Sequence, residues 1–284
     1  MSERNNNKIF AGNMPNNQMP AGVPQQNVMR DEFGLDIPSE SIPLPSNGVI
    51  YPTASSLHGK SSIEIRAMTA REEDILTSRA LIKKGTVITH LIESCLTDKS
   101  VKAQSLLVGD RNAIMVALRV TGYGTEYQSE VECPSCGSKS KYEFDLSELP
   151  IQRLELQPIM VGENAFSFTL PYTKKEVVFR FLTGADEEEI AKLQEKYRKM
   201  GRMTDNLVTM KLERSILKIG NVDDRNKISH FIRNMPARDS RALRKYIDTN
   251  EPGILMKSWF DCSNCGEGTE INMPLGPSFF WPDA

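Results

Sequence analysis

The sequence predicts an α+β fold built from two similar modules, each running strand, helix, helix, hairpin, joined by a four-cysteine zinc site. Three observations predict it. Two Cys-x-x-Cys-Gly units, at 133–137 and 262–266, use four of the five cysteines. Matched residues recur ahead of both units at nearly constant offsets. The predicted strands and helices follow one another in the same order in both halves.

Residues 1–41 are expected to form a disordered arm. The stretch 1–29 is rich in Asn, Gln, Pro, Met and Gly and poor in bulky apolar residues. Such a segment cannot bury enough surface to offset its ordering entropy. Phe10, Met14, Met19, Val23 and Met29 are candidate anchors for a partner surface, and a free tail is the alternative. The first module is assigned to 42–150 and the second to 151–284.

In the first module, residues 42–52 read as ordered but irregular, with Asn47-Gly48 as a turn signal. Residues 62–68 alternate like a strand. Residues 70–84 are helical in pattern, with Ile75, Leu76, Ala80 and Leu81 on one face and Gly85 as the stop. Residues 86–96 form a second, apolar helix and 110–121 a third, ending at Gly122-Tyr-Gly124. In the second module, 154–160, 166–171 and 176–182 read as strands. Residues 186–200, 207–219, 226–234 and 239–249 read as helices.

Each Cys-x-x-Cys-Gly unit sits between strand-like flanks: 127–132 and 139–144 around the first, 255–260 and 269–273 around the second. Both read as hairpins with a zinc knuckle at the tip, a tight turn that aims two thiolates at one point. A structural zinc takes four ligands at about 2.3 Å, and one knuckle supplies two. The simplest closed site therefore takes Cys133, Cys136, Cys262 and Cys265 together. The other arrangement pairs each knuckle with a second copy of the chain, giving intermolecular sites and a dimer. A redox dithiol would instead open a helix after a buried apolar strand, and neither unit does. No His lies near either knuckle, which points to a closed structural site rather than a catalytic one. Cys95, in an apolar helical run, reads as a small buried hydrophobe.

The repeat extends beyond the knuckles. The offset between Cys133 and Cys262 is 129, and the same offset relates Asp110 to Asp239, Ala113 to Ala242, and Ile114 to Leu243. Both stretches open a helix, with the Asp as a candidate N-cap. Upstream the offset is 114, with Arg66/Arg180, Thr69/Thr183 and Glu73/Glu187 as identical pairs. In each, a strand ends at a Thr that caps a helix with acidic residues in its first turn. The change of offset implies an insertion in the second copy, expected around 194–223.

Composition limits the function. Basic and acidic residues number 35 and 37, a net charge of −2, so there is no electrostatic case for nucleic acid or a membrane surface. No run of 18 apolar residues exists, and the N-terminus lacks a signal-peptide core. Reduced cysteines in zinc-like spacing favour folding in a cytosol. His58, His90 and His230 have no nucleophile at a known catalytic spacing. There is no P-loop, no Gly-x-Gly-x-x-Gly and no His-Glu-x-x-His, so no enzyme is expected. Residues 186–189, Asp-Glu-Glu-Glu, read as a solvated face that complements a helix N-terminus. Arg233, Arg238, Arg241, Arg244 and Lys245, mixed with Asp239 and Asp248, read as an ordinary charged face.

Several segments together carry a resemblance. They are Leu-Pro-Ser-Asn-Gly-Val-Ile-Tyr at 44–51, the stretch 65–76, Leu-Val-Gly-Asp-Arg-Asn at 107–112, Tyr-Gly-x-x-Tyr at 123–127 and Cys-Pro-x-Cys at 133–136. Over about residues 42–270 the chain resembles the baseplate proteins of contractile-tailed, T-even-type bacteriophages, related to the baseplate hub assembly proteins. The resemblance implies a non-enzymatic structural or assembly role at the baseplate hub, in the virion tail or in the host cytoplasm during assembly. It implies other tail and baseplate proteins as partners, with self-association as a further possibility and neither a small-molecule substrate nor a membrane. The other reading is a regulatory protein whose zinc ribbons bind nucleic acid. Knuckle tips carrying Lys139 and Lys141 on one side but Asp261 and Glu267 on the other argue against it.

Overall fold

The structure, a computed structural model, describes residues 38–201, 206–273 and 279–280. Most of the expected arm, with its five candidate anchors, lies outside the described residues. Strand β1 (Ser39–Pro43) begins slightly ahead of position 42, where the folded part was expected to start. It pairs antiparallel with β2 (Ser62–Arg66), Ser39 facing Arg66. The loop between them turns at Asn47 and Gly48, with φ of 51° and 68°. A side chain at Gly48 would also place Cβ 2.3 Å from the Leu57 carbonyl oxygen, so only Gly fits.

Helices α1 (Ala70–Thr77), α2 (Arg79–Lys84), α3 (Val87–Cys95) and α4 (Val108–Tyr123) follow. The single helix expected over 70–84 is broken at Ser78, whose backbone is extended. Thr77 Oγ1 donates to the Glu73 carbonyl at 3.0 Å, a side-chain bond that competes with continuing the helix. After α4 come the hairpin β3 (Glu126–Glu132) and β4 (Lys139–Asp145), then the short strand β5 (Ile151–Gln152). The strand expected over 154–160 does not form. Pro158 cannot donate to a ladder, and Leu154 N–H donates instead to the Pro45 carbonyl at 2.9 Å.

The second half opens with β6 (Phe166–Thr169) and β7 (Glu176–Phe179), then α5 (Gly184–Lys199), α6 (Leu207–Ser215) and β8 (Ile216–Ile219). The helix expected over 207–219 stops at Ser215. Ile216 to Ile219 instead extend the β6–β7 hairpin to three strands, with Ile216 opposite Phe179. Burial on a sheet edge wins over the helical pattern there. Then come α7 (Arg225–Arg233), α8 (Ala237–Asn250), β9 (Gly253–Ile254), β10 (Lys257–Asp261) and β11 (Gly268–Asn272). Among the described residues no helix is long and apolar enough to cross a membrane.

The same local devices start the helices in both halves. Thr69 donates its N–H (3.0 Å) and hydroxyl (2.7 Å) to Glu72, which also pairs with Arg66 at 2.6 Å. Thr183 does the same to Asp186 (2.9 and 2.8 Å), which pairs with Arg180 at 2.6 Å. Asp110 and Asp239 are not the N-caps expected from the sequence; those places are taken by Leu107 and Pro236. Each Asp stands in the first turn and holds the preceding hairpin loop. Asp110 accepts from Ser46 N–H (3.0 Å), Ser46 Oγ (2.6 Å) and Tyr51 Oη (2.5 Å). Asp239 accepts from the N–H of Tyr172 (2.7 Å) and of Thr173 (3.0 Å) and from Thr173 Oγ1 (2.7 Å). A carboxylate in a first turn lies at the positive end of the helix dipole, and here the loop supplies its remaining donors.

One contiguous apolar cluster serves both halves, from Ile42, Leu91, Ile114 and Phe144 to Phe166, Phe179, Leu243 and Phe260. Each such fully buried side chain contributes about 1.5–3 kcal/mol. Backbone bonds stitch the halves as well. Val108 N–H donates to the Leu182 carbonyl and Gly184 N–H to the Leu106 carbonyl, both at 3.0 Å, and β5 pairs with β9. The expectation of a solvated acidic face at 186–189 is overturned for two of its members. Asp186 is buried in its capping box, and Glu188 is buried against Thr89 and Gln104 of the first half.

Candidate metal centre

Two hairpins present the four cysteines. β3 and β4 pair from Glu126–Asp145 to Glu132–Lys139, and β10 and β11 from Lys257–Asn272 to Asp261–Gly268. Each ends in the same turn. Cys133 N–H donates to the Ser138 carbonyl and Gly137 N–H to the Cys133 carbonyl, both at 2.9 Å. Cys262 N–H donates to the Glu267 carbonyl at 3.0 Å and Gly266 N–H to the Cys262 carbonyl at 2.9 Å. Gly137 and Gly266 close these turns with φ of 70° and 72°, a left-handed backbone that explains the Gly after each Cys-x-x-Cys.

The turns face each other. Cys133 Sγ lies 3.8 Å from Cys265 Sγ, and Cys136 Sγ lies 3.8 Å from Cys262 Sγ. All four sulfurs fall within 4.8 Å of one another. Four sulfurs each about 2.3 Å from a tetrahedral centre would stand about 3.8 Å apart, so the cluster has the size of a four-thiolate metal site. Disulfide sulfurs would lie about 2.05 Å apart, and all four thiols are free. Cys133 and Cys262 are buried, while Cys136 and Cys265 face outward.

The surroundings favour thiolate at Cys136 and Cys262. Ser138 Oγ stands 3.1 Å from Cys136 Sγ and 3.5 Å from Cys262 Sγ, and Asn264 Nδ2 donates to Cys136 Sγ at 3.6 Å. The Ser138 hydroxyl is the main cause that brings the Cys136 thiol down to about 6 and also lowers Cys262. Cys265 gains a bond from the Glu267 backbone, yet local desolvation and the three neighbouring sulfurs push it up to about 12. Four thiolates this close repel one another, so protons alone leave the cluster partly protonated. A divalent cation at its centre would remove that repulsion.

The hairpins also touch through side chains. Tyr142 Oη donates to the Trp259 carbonyl at 2.9 Å, and the Tyr142 ring meets the Phe260 ring edge-on at 5.3 Å. Phe279 sits 5.3 Å from Tyr127. The site is therefore attached to the core rather than free at a tip.

The structure brings together all four cysteines singled out from the sequence. Cys95 stays apart, fully buried in α3, its thiol pushed up to about 12 by burial and by Glu72. His58 Nδ1 lies 2.6 Å from the Tyr51 carbonyl oxygen in a loop. The basic run is largely exposed, with Arg233 3.5 Å from Glu213. Sequence reasoning missed Ser138 and Asn264 beside the sulfurs. It also missed the loop residues Ser46, Tyr51 and Thr173 that satisfy the two buried aspartates. The signal for the loops was available: Leu44-Pro45 and Leu170-Pro171 are a further matched pair, just ahead of Ser46 and Tyr172.

A family model described as T4 bacteriophage base plate protein matches residues 49–281. No curated protein and no solved structure gives a significant match. The matched span runs from the first hairpin loop past the second cysteine pair, so it takes in both halves and all four cysteines. The chain belongs to the T4 bacteriophage base plate protein family.

Proposed function

We propose that this protein is a non-enzymatic structural or assembly component of the baseplate hub, a scaffold closed by zinc that docks on neighbouring tail proteins in the virion. The observation that carries the proposal is the four-sulfur cluster at tetrahedral spacing, inside a chain that belongs to a baseplate family. Cys133, Cys136, Cys262 and Cys265 would hold the ion. Zinc suits an all-thiolate closed shell and supplies structural cross-linking there.

The scaffold reads as a duplication. Arg66, Thr69 and Glu72 correspond to Arg180, Thr183 and Asp186; Asp110 corresponds to Asp239, and each knuckle to the other. Helix α3 then matches α6, with Glu93 against Glu213. On that alignment the extra residues of the second copy divide between a longer α5 region and α7. The insertion thus reaches beyond the 194–223 expected from sequence. The two copies divide the chain at about residue 150, although they share one core.

Elemental analysis of the purified full chain, with its mass in solution, tests the zinc reading. One zinc per monomer is expected. A dimer holding its zinc between chains would replace the intramolecular clamp, and a zinc-free chain whose thiols cycle to disulfides would end it. Mass spectrometry of isolated baseplates and hub subassemblies tests the location, and absence from both would refute it.

A further inference from the structure

A groove of about 950 Å³ runs along one side of the first half, between α1, α2 and α3. Its apolar lining includes Ile75, Leu81 and Leu96, and its cationic and imidazole groups include Arg71, His90 and Lys99. Helix α2 borders it and buries none of its side chains. Ile82, beside Leu81, is 52% exposed. Apolar residues on a helix that packs against so little call for a cover.

In the second half α6, the counterpart of α3, has one. There α7 lies over α6 and β8, burying Ile228 and Ile232, and Ser229 Oγ donates to Glu213 at 2.6 Å. The first half has no α-helix between Leu96 and α4 to do the same; Glu93 lines the groove and accepts from Ala103 N–H at 3.2 Å. This comparison rests on the duplication proposed above; the groove and the bare α2 do not.

The chain itself points to the occupant. Ser39 lines the groove, and the Pro38 carbonyl accepts from Ala67 N–H at 3.0 Å, so the preceding residues set out from the groove's own wall. Residues 31–37 read Asp-Glu-Phe-Gly-Leu-Asp-Ile. Phe33, Leu35 and Ile37 alternate, so an extended chain puts them on one side. Ile37 precedes Pro38, which biases it to extended backbone. Asp31 shares that side of an extended chain and complements the cationic groups Arg71 and Lys99 at the groove.

We infer that residues 31–37 of the same chain bind in this groove, with Phe33, Leu35 and Ile37 covering the apolar side of α2. The bound segment would fix where the chain ahead of Asp31 leaves the body.

The test is a photo-crosslinking amino acid, p-benzoylphenylalanine, placed at Phe33 of the full chain. Mass spectrometry after irradiation should find intrachain cross-links to residues 71–99 in the monomer. Leu81→Glu, on a helix that buries nothing, should lower their yield several-fold while leaving metal content and circular dichroism unchanged. Cross-links to a second copy, or none within 71–99, would overturn the inference. Neither result would bear on the zinc site or the duplication, whose readouts are metal content and the matched aspartates.

Discussion

Cys133 Sγ stands 3.8 Å from Cys265 Sγ, although 132 residues separate the two in the chain. Such a contact ties the middle of the sequence to a hairpin near its end. The aromatic contacts around Tyr142 and Phe260 support it but do not replace it. Cys265→Ser removes one outward-facing thiol of the cluster and leaves the core untouched. It should abolish tight metal binding and lower the melting temperature by at least about 10 °C, a loss of several kcal/mol. Calorimetry with metal analysis checks this, and an unchanged melting temperature at unchanged metal content would refute the site.

Asp110 and Asp239 are both buried, and each satisfies three donors of a hairpin loop. Removing either carboxylate orphans those donors. Asp110→Ala and Asp239→Ala should each cost about 2–4 kcal/mol in urea unfolding. A cost under about 1 kcal/mol for either would mean that water or a rearranged loop takes its place.

Glu72 makes an acid-sensitive contribution. Burial pushes its pKa up, but Arg66, Ser94 and Thr69 outweigh burial and hold it at about 2. An unfolded Glu titrates near about 4.3, so the folded pKa is depressed. This stabilisation is present in full above about pH 4.3 and is lost as pH falls through about 2. Glu72→Gln should therefore be less stable than the parent at pH 6, and the gap should close by pH 2. Urea midpoints across that range measure it, and a constant gap would rule out the ion pair as the cause.

Gly109 in α4 faces the second half, where a Cβ would lie 1.7 Å from the Pro252 carbonyl oxygen and 2.9 Å from Gly253 Cα. Those are backbone atoms that cannot rotate away. Gly109→Ala would gain about 1 kcal/mol of helix propensity in isolation. It should nevertheless destabilise the protein by more than about 2 kcal/mol through overpacking between α4 and β9. A neutral or stabilising result in urea unfolding would show that the two halves can part there at little cost.

The four-cysteine cluster and the strand-then-capped-helix starts were legible because their residue types are demanding. Cys-x-x-Cys-Gly twice in one chain is a specific pattern, and a Thr followed three positions later by Glu72 or Asp186 is the pattern of a capping box. The break at Ser78, the conversion of 216–219 from helix to strand, and the missing strand at 154–160 were not. The last two depend on a partner far away in sequence: Phe179 opposite Ile216, and Pro45 accepting from Leu154. The break rests on a local hydroxyl bond from Thr77 that a helical pattern does not reveal. The buried Glu188 was misread because its donors Thr89 and Gln104 lie 99 and 84 residues away. The aspartates were found by matching, but their task was misassigned because half of the loop donors are backbone N–H groups, which every sequence contains.

The matching turns at Gly137 and Gly266 also impose an order in time. A ribosome completes Cys136 long before it reaches Cys265. At about 5–20 residues per second that delay is about 6–26 s. Throughout it, Cys133 and Cys136 stand without the second pair of thiols and would be open to any competing thiol, oxidant or stray ion. On the zinc reading proposed above, the first half would wait for its downstream counterpart, and capture of the ion would follow only once translation has passed Cys265.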